Sequence, residues 1–366
     1  MRFSEFHGEW CISTIGEQFD LYSGNTPSRL NKAHFEGNVN WITSGELKEH
    51  YISDTKEKIS EVAATANNLK LLHPGTFVIA IYGLEADGVR GTGSITCKES
   101  TISQACMAFT QKGDVKNEFL YSWYKKHGNI IGIKYAQGTK QQNLSYDILE
   151  KFHIAYPSQD EQDKLIKFIS LLDERIATQS KLIEKLESLI KGFAQKIVRC
   201  NKPNVRLSEC LECKSSTLQE SDVYEQGTYP VYGANGIVGY LDNYNTESEA
   251  VYIIKDGSGV GTVSYVTGKC SATGTLNTLQ AKDGYSLQYF YYLLKVFNFE
   301  PYKTGMAIPH IYFKDYGNAL FFCPSYTEQL QYARLLFAID SKLSAEQNIK
   351  TNISLQKQYL LREMFI

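Results

Sequence analysis

The chain has 366 residues, of which 43% are hydrophobic and 21% charged, and its formal net charge is -2. At about 100–200 residues per domain, this length indicates two or three domains. The hydrophobic fraction excludes a disordered chain, and the balanced charge excludes binding of polyanions through bulk positive charge. No apolar stretch approaches about 18 residues and no signal peptide is visible, so we expect no membrane partner, a cytoplasmic location and reduced cysteines.

The first block, residues 1–156, alternates short β-like runs with glycine-rich turns. Residues 76–82 form an apolar run, a glycine-rich loop follows at 88–93, and a second β-branched run comes next. This order predicts strand, turn and strand. Pro157 closes the block.

A long helix is predicted for the next segment, residues 157–199. Apolar residues recur there in steps of three and four, and from 161 to 199 no proline interrupts them. Such a pattern predicts a rod of about 58 Å with one apolar seam. The predicted seam residues are Ile169, Leu172, Ile176, Ile183, Leu186, Ile190, Phe193 and Ile197.

The second half follows the same plan, with a globular block at 200–323 and a helix at 324–366. The second seam is more polar in its middle. Its apolar residues are Leu336, Ile339, Leu343, Ile349, Ile353, Leu360 and Met364. Since neither rod can bury its seam alone, we expect an antiparallel pair; the alternative is two core helices of ordinary domains. The polar seam residues Gln179 and Glu346 either fix the register or mark a stretch that binds a partner.

An internal repeat supports this division. Shifting the chain by 167 residues places 157–158 on 324–325, 161–162 on 328–329, and Asp173 on Asp340. Gly138 falls on Gly305 at the same offset. We therefore predict an α+β fold with two globular α/β-mixed domains, each followed by a long helix.

Motifs of catalysis are missing from the sequence. There is no phosphate loop, serine elbow or HExxH motif. Residues 256–261 look like a nucleotide loop, but β-like residues follow them, so a tight turn is favoured. Cys210 and Cys213 form a lone CxxC pair, which we interpret as core thiols rather than half of a zinc site. Glu249 with Lys255 is a weak candidate for a nuclease pair.

Several segments together resemble the DNA-specificity subunit of type I restriction–modification systems. Any one of them is weak, but their order and duplication are specific. They are Trp10 with Ile15-Gly16-Glu17, Ser23 to Ser28, Gly138 to Leu144, Tyr229 to Gly236 with Gly239-Tyr240, Pro157 to Gln162, and Pro324 to Gln329. The second half has Gly305 to His310 in place of the Gly-Thr-x-Gln-x-Asn run, as expected if the two domains read different half-sites.

The resemblance implies a non-catalytic subunit with pseudo-twofold symmetry that reads bipartite double-stranded DNA, one half-site per target-recognition domain. The paired helices would set the unread spacer, and exposed Arg175, Lys181, Gln347 and Lys350 could face partners. Two modification subunits would bind S-adenosylmethionine and methylate adenine, and motor–nuclease subunits would use ATP and Mg2+; this chain would hold no cofactor or metal. The alternatives are a non-nucleic-acid two-domain scaffold and a self-sufficient nuclease or methyltransferase.

Candidate DNA contacts are polar or basic residues of the loops, because the domains have no basic block and must read base edges through such side chains. In the first domain they are Ser23, Asn25, Thr26, Arg29, Arg90, Lys134, Gln137, Thr139, Lys140, Gln141 and Gln142. In the second they are Lys214, Ser215, Tyr232, Asn235, Lys255, Ser258, Lys303, Thr304 and His310.

Overall fold

The computed structural model of the chain describes residues 1–138, 142–305 and 308–365. The chain divides into two compact units. Unit 1 is Met1–Thr178 with Lys350–Ile366, and unit 2 is Gln179–Ile349. Both mix helices with sheets, which confirms the predicted α+β class. No helix among the described residues is both long and apolar enough to cross a membrane.

Unit 1 begins with ten strands and four helices. The strands are β1 Cys11–Thr14, β2 Phe19–Ser23, β3 Val39–Ile42, β4 Tyr51–Ile52, β5 Lys58–Ile59, β6 Phe77–Ala80, β7 Gly93–Thr96, β8 Ser100–Ile102, β9 Cys106–Gln111 and β10 His153–Tyr156. The helices are α1 Ile15–Gln18, α2 Glu61–Ala66, α3 Asn117–Tyr135 and α4 Tyr146–Glu150, with 3-10 turns at Lys32–Phe35 and Ser44–Glu46.

The core of unit 1 lies between its main sheet and α3. The sheet has the strand order β2-β9-β6-β7-β4, and a three-stranded sheet has the order β5-β3-β8. All four residues of β6 are buried, as the apolar run at 76–82 predicts for a central strand. Phe77, Phe109 and Phe119 join strands and helix in one apolar cluster.

The long helix α5, Gln159–Cys200, leads into unit 2. The strands of unit 2 are β11 Val205–Arg206, β12 Leu211–Ser215, β13 Tyr229–Gly233, β14 Gly236–Leu241, β15 Glu249–Ile254, β16 Val263–Thr267, β17 Ser271–Ala272, β18 Leu276–Ala281 and β19 Leu320–Phe321. Its helices are α6 Leu207–Cys210, α7 Leu287–Leu294, α8 Phe313–Tyr316 and the first part of α9 Tyr326–Met364, with 3-10 turns at Glu220–Asp222 and Glu300–Tyr302. The last turns of α9, from Lys350 onwards, belong to unit 1.

Unit 2 repeats the sheet plan of unit 1. Its main sheet has the order β12-β18-β15-β16, and its three-stranded sheet has the order β14-β13-β17. The pair β13 and β17 is parallel, as are β3 and β8. The main sheet of unit 2 ends at β16, whereas β7 of unit 1 has the further neighbour β4. The sequence repeat is thus also a repeat of topology.

Within unit 1, the first turns of α5 pack against the last turns of α9. Leu165 and Ile169 share an apolar core with Leu361 and Met364. Because an early part of one helix meets a late part of the other, the pairing is antiparallel.

Unit 2 shows the same antiparallel pairing, but here the last turns of α5 pack against the first turns of α9. Ile190 and Ile197 of α5 cluster with Leu336 and Leu343 of α9. The predicted pairing of the two helices is therefore present in each unit.

The seam departs from the predicted one at two positions. Phe193 and Ile349 are each 39% exposed, whereas Ala194, which the predicted seam omits, is buried. On the buried face of α5, Ile190 is followed by Ala194, a spacing of four residues. The predicted seam had a spacing of three residues there, from Ile190 to Phe193. Consecutive steps of four locally unwind a heptad seam. Sequence reading placed the larger apolar side chain on the seam, but the small alanine occupies it.

A pair of buried glutamines explains why the segment before each long helix repeats. Gln162 accepts a hydrogen bond from the backbone N–H of Lys116 at 3.0 Å and donates to the Pro157 carbonyl at 3.1 Å. In unit 2, Gln329 accepts from Ser286 N–H at 2.9 Å and its amide donates to a proline carbonyl at 3.0 Å. Each glutamine thus ties the start of its long helix to the start of α3 or α7.

Candidate nucleic-acid interface

Two loops occupy repeat-equivalent places in the two units. Loop A, residues 137–143, is closed by Gln137 and Asn143, whose backbone groups exchange hydrogen bonds of 2.8 and 2.9 Å. Loop B, residues 304–310, is closed by Thr304 and His310 with bonds of 2.9 and 2.7 Å. The closing residues lie at the same offset of 167 as the rest of the repeat. Predicted contacts Thr139, Lys140 and Gln141 lie outside the described residues.

A glycine in the left-handed region follows the first closing residue of each loop. Gly138 has φ 108° and Gly305 has φ 90°. A Cβ atom on Gly305 would lie 2.3 Å from the Ile308 carbonyl oxygen. The backbone conformation favours glycine at both positions, and at Gly305 the lack of space for a Cβ atom favours it as well.

Both loops dock in the same way on the segment that follows the central strand of the main sheet. In unit 1, Leu84 N–H donates to the Gln142 carbonyl at 3.1 Å, and Tyr82 forms a β-bridge with Asn143. In unit 2, Gly257 N–H donates to a loop B carbonyl at 3.1 Å, and Asp256 forms a β-bridge with His310. A common backbone frame thus presents different side chains.

In unit 1 the side chains around loop A form a polar cluster. The Arg90 guanidinium donates to Gln142 Oε1 at 2.7 Å, and Glu85 accepts from the Gln142 backbone N–H at 2.8 Å. This N–H lowers the pKa of the Glu85 carboxyl. The Arg90 stem lies over Gly132 of α3, where a Cβ atom would be 2.5 Å from Arg90 Cγ. Arg90 Nε is buried without a hydrogen-bond partner in the described part of the chain.

A cleft of about 490 Å³ opens beside loop A. Its lining includes Ser23, Tyr82, Gln137 and Asn143. The structure therefore brings the predicted residues Ser23, Gln137, Gln142 and Arg90 to one side of unit 1.

In unit 2 the central feature is a histidine–carboxylate pair. His310 Nδ1 lies 2.7 Å from Asp256 Oδ1, and both side chains are about one third exposed. A proton held on Nδ1 by the carboxylate leaves Nε2 to accept a hydrogen bond from a ligand when the ring is neutral. Such a fixed tautomer suits the reading of a donor on a base edge.

Some predicted contacts in unit 1 already have structural partners. Arg29 makes two bonds of 2.8 Å to Glu57 and lies 5.1 Å from the Phe35 ring centre. Asn25 accepts from Thr26 N–H at 2.8 Å and donates to a carbonyl of the loop after α2. Lys134 is exposed in the last turn of α3. Arg29, Asn25 and Thr26 therefore organise their own segment.

The remaining predicted contacts of unit 2 are distributed over several elements. Lys214 pairs with Gln280 at 2.7 Å, and Lys303 pairs with Glu300 at 2.6 Å. Tyr232 is half-buried in β13. Asn235, Ser215 and Ser258 are exposed, and Lys255 immediately follows β15. Of this set, Thr304, His310, Lys303 and Lys255 lie in or next to loop B.

The predicted contacts do not include Tyr82, Asn143 and Asp256, which belong to these sites. The repeat offset was a usable signal, because it places Asn143 on His310 and Gln137 on Thr304. Asp256 and Tyr82 are brought in by backbone pairing between segments far apart in sequence, which composition does not reveal.

The cysteines of the CxxC pair are packed in unit 2. Cys210 is buried and Cys213 is half-buried. Burial raises the pKa of the Cys210 thiol to about 12 and that of Cys213 to about 11. Across residues 1–138, 142–305 and 308–365, no group of three or more His, Cys, Asp or Glu side chains is placed to hold a metal ion. Glu249 and Lys255 lie at opposite ends of β15 and accordingly do not form a pair.

Comparison with known proteins gives a consistent result. The family described as type I restriction modification DNA specificity domain matches twice, over residues 7–188 and 202–355. The type I restriction enzyme EcoprrI specificity subunit of Escherichia coli is 21% identical over 91% of this chain and 88% of its own length. The MjaIX specificity subunit of Methanocaldococcus jannaschii is 27% identical over 50% of this chain, but the match spans only 42% of that relative.

Solved structures show the same fold. The S subunit of a type I restriction–modification system from M. genitalium superposes with a TM-score of 0.69 at 19% identity, covering 100% of this chain and 99% of that one. A chain from a study of complex assembly in a type I R-M system gives a TM-score of 0.57 at 15% identity, covering 98% and 97%.

The two units repeat one sheet plan, each with a long helix and a loop closed by a pair of backbone hydrogen bonds, and the family model matches once in each half of the chain. The chain belongs to the type I restriction–modification DNA specificity family.

Proposed function

We propose that this chain reads a bipartite DNA target, with loop A of unit 1 and loop B of unit 2 each contacting one half-site. The observation that carries the proposal is a shared backbone frame with unlike side chains. Gln137 and Asn143 close loop A, whereas Thr304 and His310 close loop B. Amide and hydroxyl side chains are among those that read base edges, and a neutral imidazole offers one hydrogen-bond donor and one acceptor.

The charge of the chain favours binding to DNA together with partner subunits rather than by the chain alone. The net charge of -2 provides little phosphate neutralisation, so binding by the isolated chain should be weak. We infer that partner subunits supply most of the phosphate contacts. The chain then contributes sequence choice, and works in the cytoplasm beside chromosomal DNA.

The partners are two modification subunits and the motor–nuclease subunits of the restriction complex. Cofactors belong to those partners: S-adenosylmethionine for methylation of a flipped adenine, and ATP with Mg2+ for translocation and cleavage. The exposed side chains of the two helices, Arg175 and Lys181 among them, are offered as docking positions.

Selection from random DNA tests the proposal. The chain is reconstituted with a modification subunit and challenged with a random duplex library, and bound fragments are sequenced. We expect two short conserved blocks separated by a fixed unread interval. Enrichment of no sequence by a complex that forms stably would contradict DNA reading and favour a scaffold.

A further inference from the structure

The two units differ in one connection of the three-stranded sheet. In unit 1, the chain runs from β3 to β5 through residues 43–57, which include β4. In unit 2, the equivalent strands β13 and β14 are joined by residues 234–235 alone. Unit 2 therefore lacks the segment that carries β4.

In unit 1 this segment covers the edge of the main sheet. The N–H groups of Ile95 and Cys97 donate to the carbonyls of His50 and Ile52 at 2.8 and 2.9 Å. Ser94 Oγ donates to the Glu49 carbonyl at 2.6 Å. All four residues of β7 are buried as a result.

The equivalent edge of unit 2 is open. Tyr265 pairs with the central strand as Ile95 does in unit 1, so Ser264 corresponds to Ser94 and Thr267 to Cys97. Ser264 and Thr267 are exposed, and in the part of the chain that the structure describes no strand lies beyond β16. Val263–Thr267 also contains no charged residue or proline, which are the usual protections of a free edge.

The side chains next to this edge also differ between the two units. In unit 1 the His50 ring stacks on Tyr121 at 3.9 Å and its Nδ1 lies 3.8 Å from Asp173. Lys357 forms an ion pair with Asp173 as well. Asp173 is therefore faced by two basic side chains.

In unit 2 the corresponding carboxylate is Asp340, and Ile190 stands at the position equivalent to Lys357. Within the described ranges Asp340 has no ion pair; it accepts a hydrogen bond from Tyr292 at 3.2 Å. It lines a cleft of about 490 Å³ together with Ile190 and Lys295. Lys295 lies 5.2 Å from the Tyr291 ring, as Lys125 lies 5.1 Å from Tyr121, so the two sites share their frame.

We propose that the β16 edge binds an extended segment of a protein partner, which pairs in parallel as β4 does and places a basic side chain against Asp340. The occupant is a polypeptide because the open groups are backbone donors and acceptors at strand spacing. Its basic side chain follows from charge complementarity with Asp340. This surface is separate from loop B, and the proposal does not depend on which DNA is read.

The chain's own covering segment provides the probe. A labelled peptide with the sequence of residues 44–56 is titrated into the full-length protein and followed by fluorescence anisotropy. We expect saturable binding, abolished by Thr267→Pro, which removes an outward N–H, and retained by Thr267→Ala, which keeps it. Asp340→Asn, or His50→Ala in the peptide, should each weaken binding about tenfold.

Every outcome decides the proposal. Saturable binding with this pattern of variants supports it, and melting curves show whether Thr267→Pro is folded; Asp340→Asn provides the second test. The absence of saturable binding at millimolar peptide, or binding that Thr267→Pro and Asp340→Asn leave unchanged, overturns it. A concentration-dependent dimer of the free chain that Thr267→Pro dissolves would identify a second copy as the occupant, and would overturn the proposal as well.

Discussion

The side-chain amide of Gln179 donates hydrogen bonds to two groups of Glu346, its backbone carbonyl at 3.3 Å and its carboxylate. Glu346 is also the residue equivalent to Gln179 in the sequence repeat. Lys342 forms an ion pair with the same carboxylate. This polar contact interrupts an otherwise apolar seam inside unit 2. Polar seam residues fix register because any shift leaves them without a partner.

Glu346 is expected to make a pH-dependent contribution to the stability of the chain. The hydrogen bonds from Lys342 and Gln179 lower the pKa of its carboxyl below the ordinary value of 4.5. A lowered folded pKa stabilises the fold above the unfolded pKa, and that stabilisation is lost as the pH falls through the folded value. Glu346→Gln should therefore lower the melting temperature at about pH 7, and the difference from the parent should shrink towards about pH 3.

The matched control is Glu187→Gln, which removes an exposed carboxylate on α5. Its melting temperature at about pH 7 should be close to that of the parent. If Glu346→Gln lowered the melting temperature by the same amount at both pH values, the charge of Glu346 would not contribute to the stability of the seam.

His310 is expected to determine the second half-site. His310→Ala removes one base-edge contact, worth about 1–3 kcal/mol, which is roughly a tenfold to hundredfold loss in affinity. Asp256→Ala should produce a smaller loss of affinity for the same half-site. Without the carboxylate the His310 ring is no longer held in one tautomer, but the ring itself remains. Competition binding with DNA altered in either half measures both effects.

Asp283→Ala removes an exposed aspartate from a turn of the same unit and is the control for Asp256→Ala. It should bind like the parent. If His310→Ala reduced discrimination equally in the first and the second half-site, His310 would act on the fold rather than on base choice.

Gly305 is expected to be indispensable for the shape of loop B. Gly305→Ala combines a left-handed conformation with a Cβ 2.3 Å from the Ile308 oxygen. Gly284→Ala has the same kind of φ, 85°, but meets nothing within 4 Å. Both should cost about 1–2 kcal/mol in unfolding free energy for the backbone conformation, but only Gly305→Ala should impair reading of the second half-site. Denaturant unfolding and half-site competition separate the two effects.

Gln162 is expected to contribute to stability without touching DNA. Gln162→Leu leaves the Lys116 N–H and the Pro157 carbonyl without their partner, which should cost about 1–3 kcal/mol per orphaned group. Gln159→Leu, at an exposed position of the same helix, is the control. Chemical denaturation provides the measurement, and equal stability of the two variants would refute the role assigned to Gln162.

The sequence predicted the large features because they repeat or have a strong period. Pro157 and Gln162 recur at 324 and 329, and this spacing predicted where the two helices begin. Side-chain choice on the seam was harder, since Phe193 and Ala194 differ by one position and only packing decides between them. Asp256 joined the site through a β-bridge to a residue more than fifty positions away, which no local pattern records.

The open edge at β16 was invisible to sequence analysis for a different reason. Residues 234–235 form an ordinary short turn, and their significance appears only beside the longer connection at 43–57 of unit 1. A missing segment leaves no local signal. It becomes evident when both units are described with the same strand pairings.

Mapping of methylated adenine tests the central claim most directly. The chain is expressed with a modification subunit in a host free of DNA methylation, and the genome is read by single-molecule sequencing. We predict methylation at one split motif with a fixed spacer, on both strands, and loss of its second half in His310→Ala. An unmethylated genome, in cells where the two proteins copurify as an intact complex, would contradict the assignment of DNA reading to this chain.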